Sequence, residues 1–176
     1  MRKISLLLGM VGGAALVSVA AVQGVAASPV PGPPTVLKFD TMTPVTGPYV
    51  GPANPIRGVP GGGLPWVLTA ANGSLKRDGH LLVNVSGLVL AEQSPVPTAL
   101  QGTNPFADFR AVVSCQSIGA DGTATVANVS TGDFKADAAG DSNINARVGL
   151  PHPCIAPAIF VTGPTGVGVW FAATGA

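Results

Sequence analysis

The stretch GLPHPCIAP, Gly149 to Pro157, sets His152 two residues before Cys154 among three prolines. A thiol beside an imidazole can be a nucleophile with its base, a pair of metal ligands, or one end of a cross-link. Nucleophilic chemistry needs a free thiolate. A structural zinc site needs four nitrogen or sulfur donors, commonly in closely spaced pairs. This chain offers Cys115, Cys154, His80 and His152 alone, with no CxxC or HxxxH spacing. An even cysteine count in an exported chain argues instead for a disulfide between Cys115 and Cys154. In the simplest chain model, closing that loop removes about 4 kcal/mol of unfolded-state entropy. Cys115 ends the run FRAVVSC, where Ala111, Val113 and Cys115 share a face, and Cys154 leads into IAPAIFV. The bond is expected to tie two stacked layers together. Pro151 and Pro153 keep their neighbours extended and end the preceding strand. His152 is then a solvent-facing loop residue.

Other residues carry weaker chemistry. GDSN, Gly140–Asn143, is similar to the triplets around serine nucleophiles, and His152 would be the base for Ser142. No glycine-rich oxyanion turn follows Ser142, however, and Asn143 opens an alternating strand. Asp133, Asp137 and Asp141 are spaced four apart and would bind calcium if a loop gathered them with carbonyl oxygens, though not with EF-hand spacing. Glu92 is the only glutamate, so no pair of glutamates is available for acid and base roles. GPTGVG lacks the Lys-Ser/Thr of a phosphate loop and reads as a turn. Trp66, Trp170 and Tyr49 would suit sugar stacking if they shared an exposed face; burial in the core or at its rim is the expectation for both tryptophans. The triplets at Asn72, Asn84 and Asn128 are glycosylation sequons only on a eukaryotic secretory path. No cofactor is implied.

The elements that must position these groups begin after residue 27. Arg2 and Lys3 precede an uncharged apolar run, Ile4 to Val22, and small residues at Val25-Ala26-Ala27: the layout of a signal peptide cut before Ser28. Retention as an anchor is the alternative, weakened by the glycines and alanines of residues 9–15. Cleavage would leave seven basic residues of the nine and all eight acidic ones, a net charge of −1. Charged residues make up 10% of the chain, against roughly 25% in ordinary soluble domains. There is no basic patch with interleaved aromatics, which disfavours nucleic acid, and no second uncharged run long enough to span a membrane.

Residues 28–63 are dominated by PVPGPP, TGPYVGPANP and GVPGGG, and read as a Pro/Gly-rich spacer or a strap, with one short strand over 35–39. Residues 64–176 form the predicted β-domain. HLLVNVSG puts Leu81, Val83 and Val85 on one face; SNINARVGL puts Ile144, Ala146, Val148 and Leu150 on one face; VGVWFAA repeats the pattern with Val167, Val169 and Phe171. Such alternation marks strands with one wet face. Turns are expected at Asp78-Gly79, Asp121-Gly122, Gly140-Asp141 and Gly163-Pro164-Thr165-Gly166. About seven strands with short links predict antiparallel pairing and an all-β sandwich of roughly Ig-like size, with a small β-barrel as the alternative. With aromatics at 5%, the core is expected to be built from Val, Leu, Ile and Ala.

The segments GSLKRDGHLLVNVSGLVL, FRAVVSCQS and GDSNINARVGLPHPCIAPAIFVT resemble an uncharacterised family of exported bacterial all-β proteins with two cysteines. The matching residues are Asp78, Gly79, Gly87, Cys115, Gly140, Asp141, Leu150, Pro151, Cys154, Ala156 and Pro157. The resemblance covers most of residues 64–175 and implies an exported β-domain with a paired cysteine; it implies no activity. The expected function is a non-catalytic module, secreted or at the cell surface, whose partner is an extracellular protein or a glycan. The alternatives are a secreted hydrolase using Ser142 and His152, or a calcium-dependent carbohydrate-binding module using Asp133, Asp137 and Asp141.

Overall fold

Alternation of apolar and polar residues becomes two stacked antiparallel sheets. The computed structural model describes residues 32–164 and 168–174; the expected signal segment, Thr165 and Gly166 of the last turn, and Val167 lie outside them. The strands are β1 Thr35–Phe39, β2 Thr43–Pro44, β3 Trp66–Val67, β4 Ala70–Lys76, β5 His80–Ser86, β6 Val89–Leu90, β7 Asp108–Ile118, β8 Ala124–Ser130, β9 Phe134–Lys135, β10 Ser142–Arg147, β11 Ile155–Thr162 and β12 Trp170–Ala173. One sheet has the order β1-β4-β5-β10. The other runs β2-β12-β11-β7-β8, with β9 also paired to β7, and β3 and β6 form a short ribbon. Neither sheet closes, so the architecture is sandwich-like and the barrel alternative falls.

The core lies between the sheets. From the four-stranded sheet come Leu75, Leu81, Val83, Val85 and Ile144, and from the other Phe109, Ala111, Val113, Ile159 and Val161, all buried in one cluster. By count its composition follows expectation, with Val, Leu, Ile and Ala making up 20 of the 28 buried hydrophobic residues among those described. Phe39, Trp66, Phe109, Phe160, Trp170 and Phe171 are also buried, six of the nine aromatics in the chain. A core that is aliphatic by count thus also takes in two thirds of the chain's rings.

The segment from residue 32 to residue 63 lies against both sheets. β1 pairs with β4, β2 pairs with β12, and Met42, Val45 and Val59 are buried. Residues 47–61 cross the outer face of the six-stranded sheet as a strap. Its turn, Ile56 to Val59, has both central residues at positive φ, 51° for Arg57 and 78° for Gly58, the twist that matches a two-residue hairpin. Gly61 pairs with Trp170, and it lies so close to the Tyr49 backbone that a Cβ there would be 1.8 Å from the Tyr49 carbonyl oxygen. Only glycine fits that approach.

The strap explains β12. The expected inward set included Val169, but Val169 precedes the strand and is 37% exposed. All four residues of β12 are buried, because Phe171 faces the sandwich and Trp170 faces the strap. Single-face alternation cannot describe a strand dry on both sides.

Candidate functional site

Cys115 and Cys154 are bonded, with their Cα atoms 4.9 Å apart. The link does not cross the layers. Cys115 is on β7 and Cys154 leads into β11, the neighbour of β7 in the same sheet. The expectation of a bridge between stacked sheets is therefore corrected: it ties adjacent strands. The bond fits an oxidising compartment. Among the described residues no helix is long and apolar enough to cross a membrane.

Ser142 opens β10, and its Oγ donates to the Lys135 carbonyl at 2.8 Å. It lies in a shallow depression beside Asn84, Ser86, Lys135 and Asp141. His152 lines a different depression, beyond the far end of β10, beside Val36, Arg77 and Leu150. The serine and the histidine are not brought together, and the hydroxyl serves to fasten β10 to the segment before it.

The three aspartates have separate tasks. The Arg110 guanidinium donates through both Nε and Nη2 to the Asp133 carboxylate. That hydrogen-bonded pair holds the Asp133 carboxyl below the usual carboxylate range and raises Arg110. Asp137 Oδ1 accepts the Asp141 amide at 2.9 Å. Asp141 Oδ1 accepts from Ser86 Oγ at 2.9 Å and from the Gly87 amide at 2.8 Å. Asp137 and Asp141 thus share one turn and Asp133 serves another strand. Among the described residues no three His, Cys, Asp or Glu side chains gather as a metal-binding group.

The aromatic residues do not form a common platform. Trp66 stacks on Phe171 at 4.1 Å between centroids, and Phe106 stacks on Phe171 at 5.1 Å. This ring stack floors an apolar cleft edged by Leu64, Leu90, Leu100 and Val169. Trp170 lies on the opposite side of its sheet, under Tyr49 at 6.3 Å. Only Tyr49, at 45%, is well exposed.

Two features escaped the sequence. Asn72, Asn84 and Asn143 stand opposite one another across β4, β5 and β10. Asn84 Nδ2 donates to Asn72 Oδ1 at 2.9 Å, and Asn143 Nδ2 donates to Asn84 Oδ1. The sequon asparagines at 72 and 84 are thus members of an amide ladder on the wet face. The wet-face parity of Asn84 and Asn143 was legible, but the register of β10 was not. The second feature is Arg57. Its guanidinium donates to the carbonyls of Ser114, at 3.0 Å, and Ala156, at 2.7 Å, while Asn128 Nδ2 donates to the Arg57 carbonyl at 3.0 Å. These bonds pin the strap to three strands or their approaches.

Compared with protein-family models, curated proteins and solved structures, the chain matches none, and no family is identified. Several residues of the motif pattern have visible structural duties. Asp78 accepts the His80 amide at 3.1 Å and Arg147 at 2.6 Å. The amide bond, with Arg147 adding to it, holds its carboxyl below the usual range. Gly140 turns at φ 80° with Leu88 backbone where a side chain would be. Asp141 holds the next turn, and Cys115 and Cys154 are the staple.

Proposed function

We propose that the protein is an exported, non-catalytic β-sandwich module that binds an extracellular protein or a glycan at or near the cell surface. The observation that carries this reading is the use of its polar inventory. The groups that chemistry would require, Ser142 and Asp133, Asp137 and Asp141, are held in hydrogen bonds that build turns and strand junctions, and His152 stands apart from Ser142. A hydrolase site needs a nucleophile within reach of its base. A calcium cage needs carboxylates that converge. A disulfide-stapled scaffold suits recognition by its surface. The disulfide is consistent with an exported destination.

The test is a panel of chromogenic esters and glycosides, run beside a glycan array and a calcium titration by calorimetry, all on the oxidised exported protein. The expected result is saturable binding to one class of glycan or to a protein of the same surface, without turnover. Turnover that Ser142→Ala abolishes would restore the hydrolase reading. A calcium isotherm lost in Asp141→Asn would restore the metal-dependent one.

A further inference from the structure

A two-sheet sandwich has four edge strands, and each is a template for further pairing unless something blunts it. Three edges here are blunted. β1 carries Lys38 and follows Pro33 and Pro34. β2 is two residues long and ends on Pro44. β10 is bridged at Ser142 by Ala136 and tied there again by the serine hydroxyl. The fourth edge, β8, has no such device. Its seven residues, ATVANVS, contain no charge, no proline and no glycine, and five are exposed. Among the described residues no strand pairs with its outer side.

The parity of the ladder states which groups are open. The Thr131 amide bonds to the Ala111 carbonyl, and the register continues through Val113 opposite Val129 and Cys115 opposite Ala127. Antiparallel pairs alternate between bonded and unbonded. Odd-numbered residues of β8 therefore bond to β7, and the backbone groups of Ala124, Val126, Asn128 and Ser130 point off the sheet. On the outer face beside this edge, Val126 shares a cross-strand row with Gln116 and Ile155, and Ile118 stands in the next row. Val126 is 44%, Ile118 54% and Ile155 53% exposed. An unpaired uncharged edge beside an exposed apolar group is an interaction surface.

We propose that β8 pairs antiparallel with β8 of a second copy of this chain, about a two-fold axis passing by Ala127. That axis sets Val126 opposite Asn128 of the other copy and Ala124 opposite Ser130, so every off-sheet amide and carbonyl meets another. A two-fold axis brings equal side chains near one another, and a charged edge would repel itself; β8 has no charge to repel. The same symmetry sets the two Val126 side chains on diagonal positions and makes one apolar patch from two. The strand is complementary to itself, and each sheet of six becomes half of a continuous sheet of twelve.

The test is sedimentation equilibrium on the oxidised exported protein, with amide exchange followed residue by residue over a dilution series. A dimer is expected, in which the amides of Val126, Asn128 and Ser130 gain protection with concentration while those of Thr125, Ala127 and Val129 are protected throughout. Val126→Pro removes an off-sheet amide without touching the ladder to β7, and Val126→Lys places two cations close together. Each should raise the dimer dissociation constant about tenfold or more, and salt should partly restore the lysine variant. Gln93→Lys, on an exposed turn away from β8, should leave association unchanged. A wild-type monomer at every concentration overturns the proposal, as does a dimer that both Val126 variants leave intact. Neither outcome concerns turnover, so the pairing can fail while the non-catalytic reading stands, and the reverse.

Discussion

The outer faces of the two sheets share one origin and have opposite fates. On the four-stranded sheet the outer face is wet: Asn72, Asn84, Asn143 and Asn145 stand on it, and their amides bond to one another or to His80. On the six-stranded sheet the outer face is dry where the strap crosses it. Val112, Ser114, Phe160, Thr162 and Trp170 are buried there, although their parity points away from the sandwich. Burial on a sheet is thus decided by what crosses the face, and parity alone does not set it. The dry face also carries a cost, because Ser114 Oγ and Trp170 Nε1 are buried with no hydrogen-bond partner among the described residues.

The largest effect that would break this comparison lies at two adjacent residues. Phe171→Ala empties a site in the ring stack between the sheets, and Trp170→Ala empties one under the strap. Large-to-small changes at buried aromatics cost about 3–5 kcal/mol, so both variants should lose that much in urea unfolding. If Trp170→Ala loses less than about 1 kcal/mol, the strap is not a second packed layer and the two outer faces are alike. A smaller contrast sharpens the other side. Leu81 is fully buried and Leu82, next to it, is half-buried on the wet face. Leu81→Ala should cost about 2–5 kcal/mol and Leu82→Ala less than about 1 kcal/mol, measured the same way.

These contrasts also show how far the sequence could be read. β5 and β10 were legible because water wets one side of them, and polar residues at alternate positions record that. β7 was harder: FRAVVSC keeps Ala111, Val113 and Cys115 inward, but Val112 and Ser114 are buried as well, since the strap dries the face to which parity assigns them. A strap was legible only as the alternative to a spacer, because prolines and glycines signal irregular chain and say nothing of which face it packs on. Asp78-Gly79 and Gly140-Asp141 were visible as turns because their residue types are demanded by local conformation. The partners of Asp141 and Arg57 were not, because those bonds join residues 54 or more apart in sequence.

Acid should affect both sheets, by the same sign and modestly. Asp133, through its bond to Arg110, has a lowered pKa on the six-stranded sheet; Asp78, through the His80 amide and Arg147, has one on the four-stranded sheet. Asp121 is lowered too, by bonds from the Thr123 amide and hydroxyl. A folded pKa below the unfolded value, near about 3.9, means that the unfolded chain binds more protons. The stabilisation is present above that value and is lost as pH falls through the lower folded values. The urea midpoint should therefore decline below about pH 4, with a slope that Asp133→Asn and Asp78→Asn each flatten and that salt reduces. These groups are at the surface, so a steep collapse in that range, unchanged by either variant, would mean that acid acts elsewhere.

The smallest expected effect is also the one with opposite signs on the two faces. Asn84 is the centre of the amide ladder, accepting from Asn143 and donating to Asn72. In Asn84→Ala the two outer amides lose a partner, but they lie on a wet face and water replaces it. The cost should be about 0.5–1 kcal/mol, the net value of an exposed hydrogen bond. Ser114→Ala removes a hydroxyl that is buried and has no partner among the described residues. There the folded state sheds a desolvated polar group and keeps its packing, so stability should rise by roughly 0.5–1 kcal/mol or stay level. Both changes delete polar atoms from outward-pointing positions, and a propensity argument would give them the same sign. Paired urea curves decide between the accounts: if Ser114→Ala loses stability as Asn84→Ala does, water reaches that hydroxyl and the strap does not seal its face.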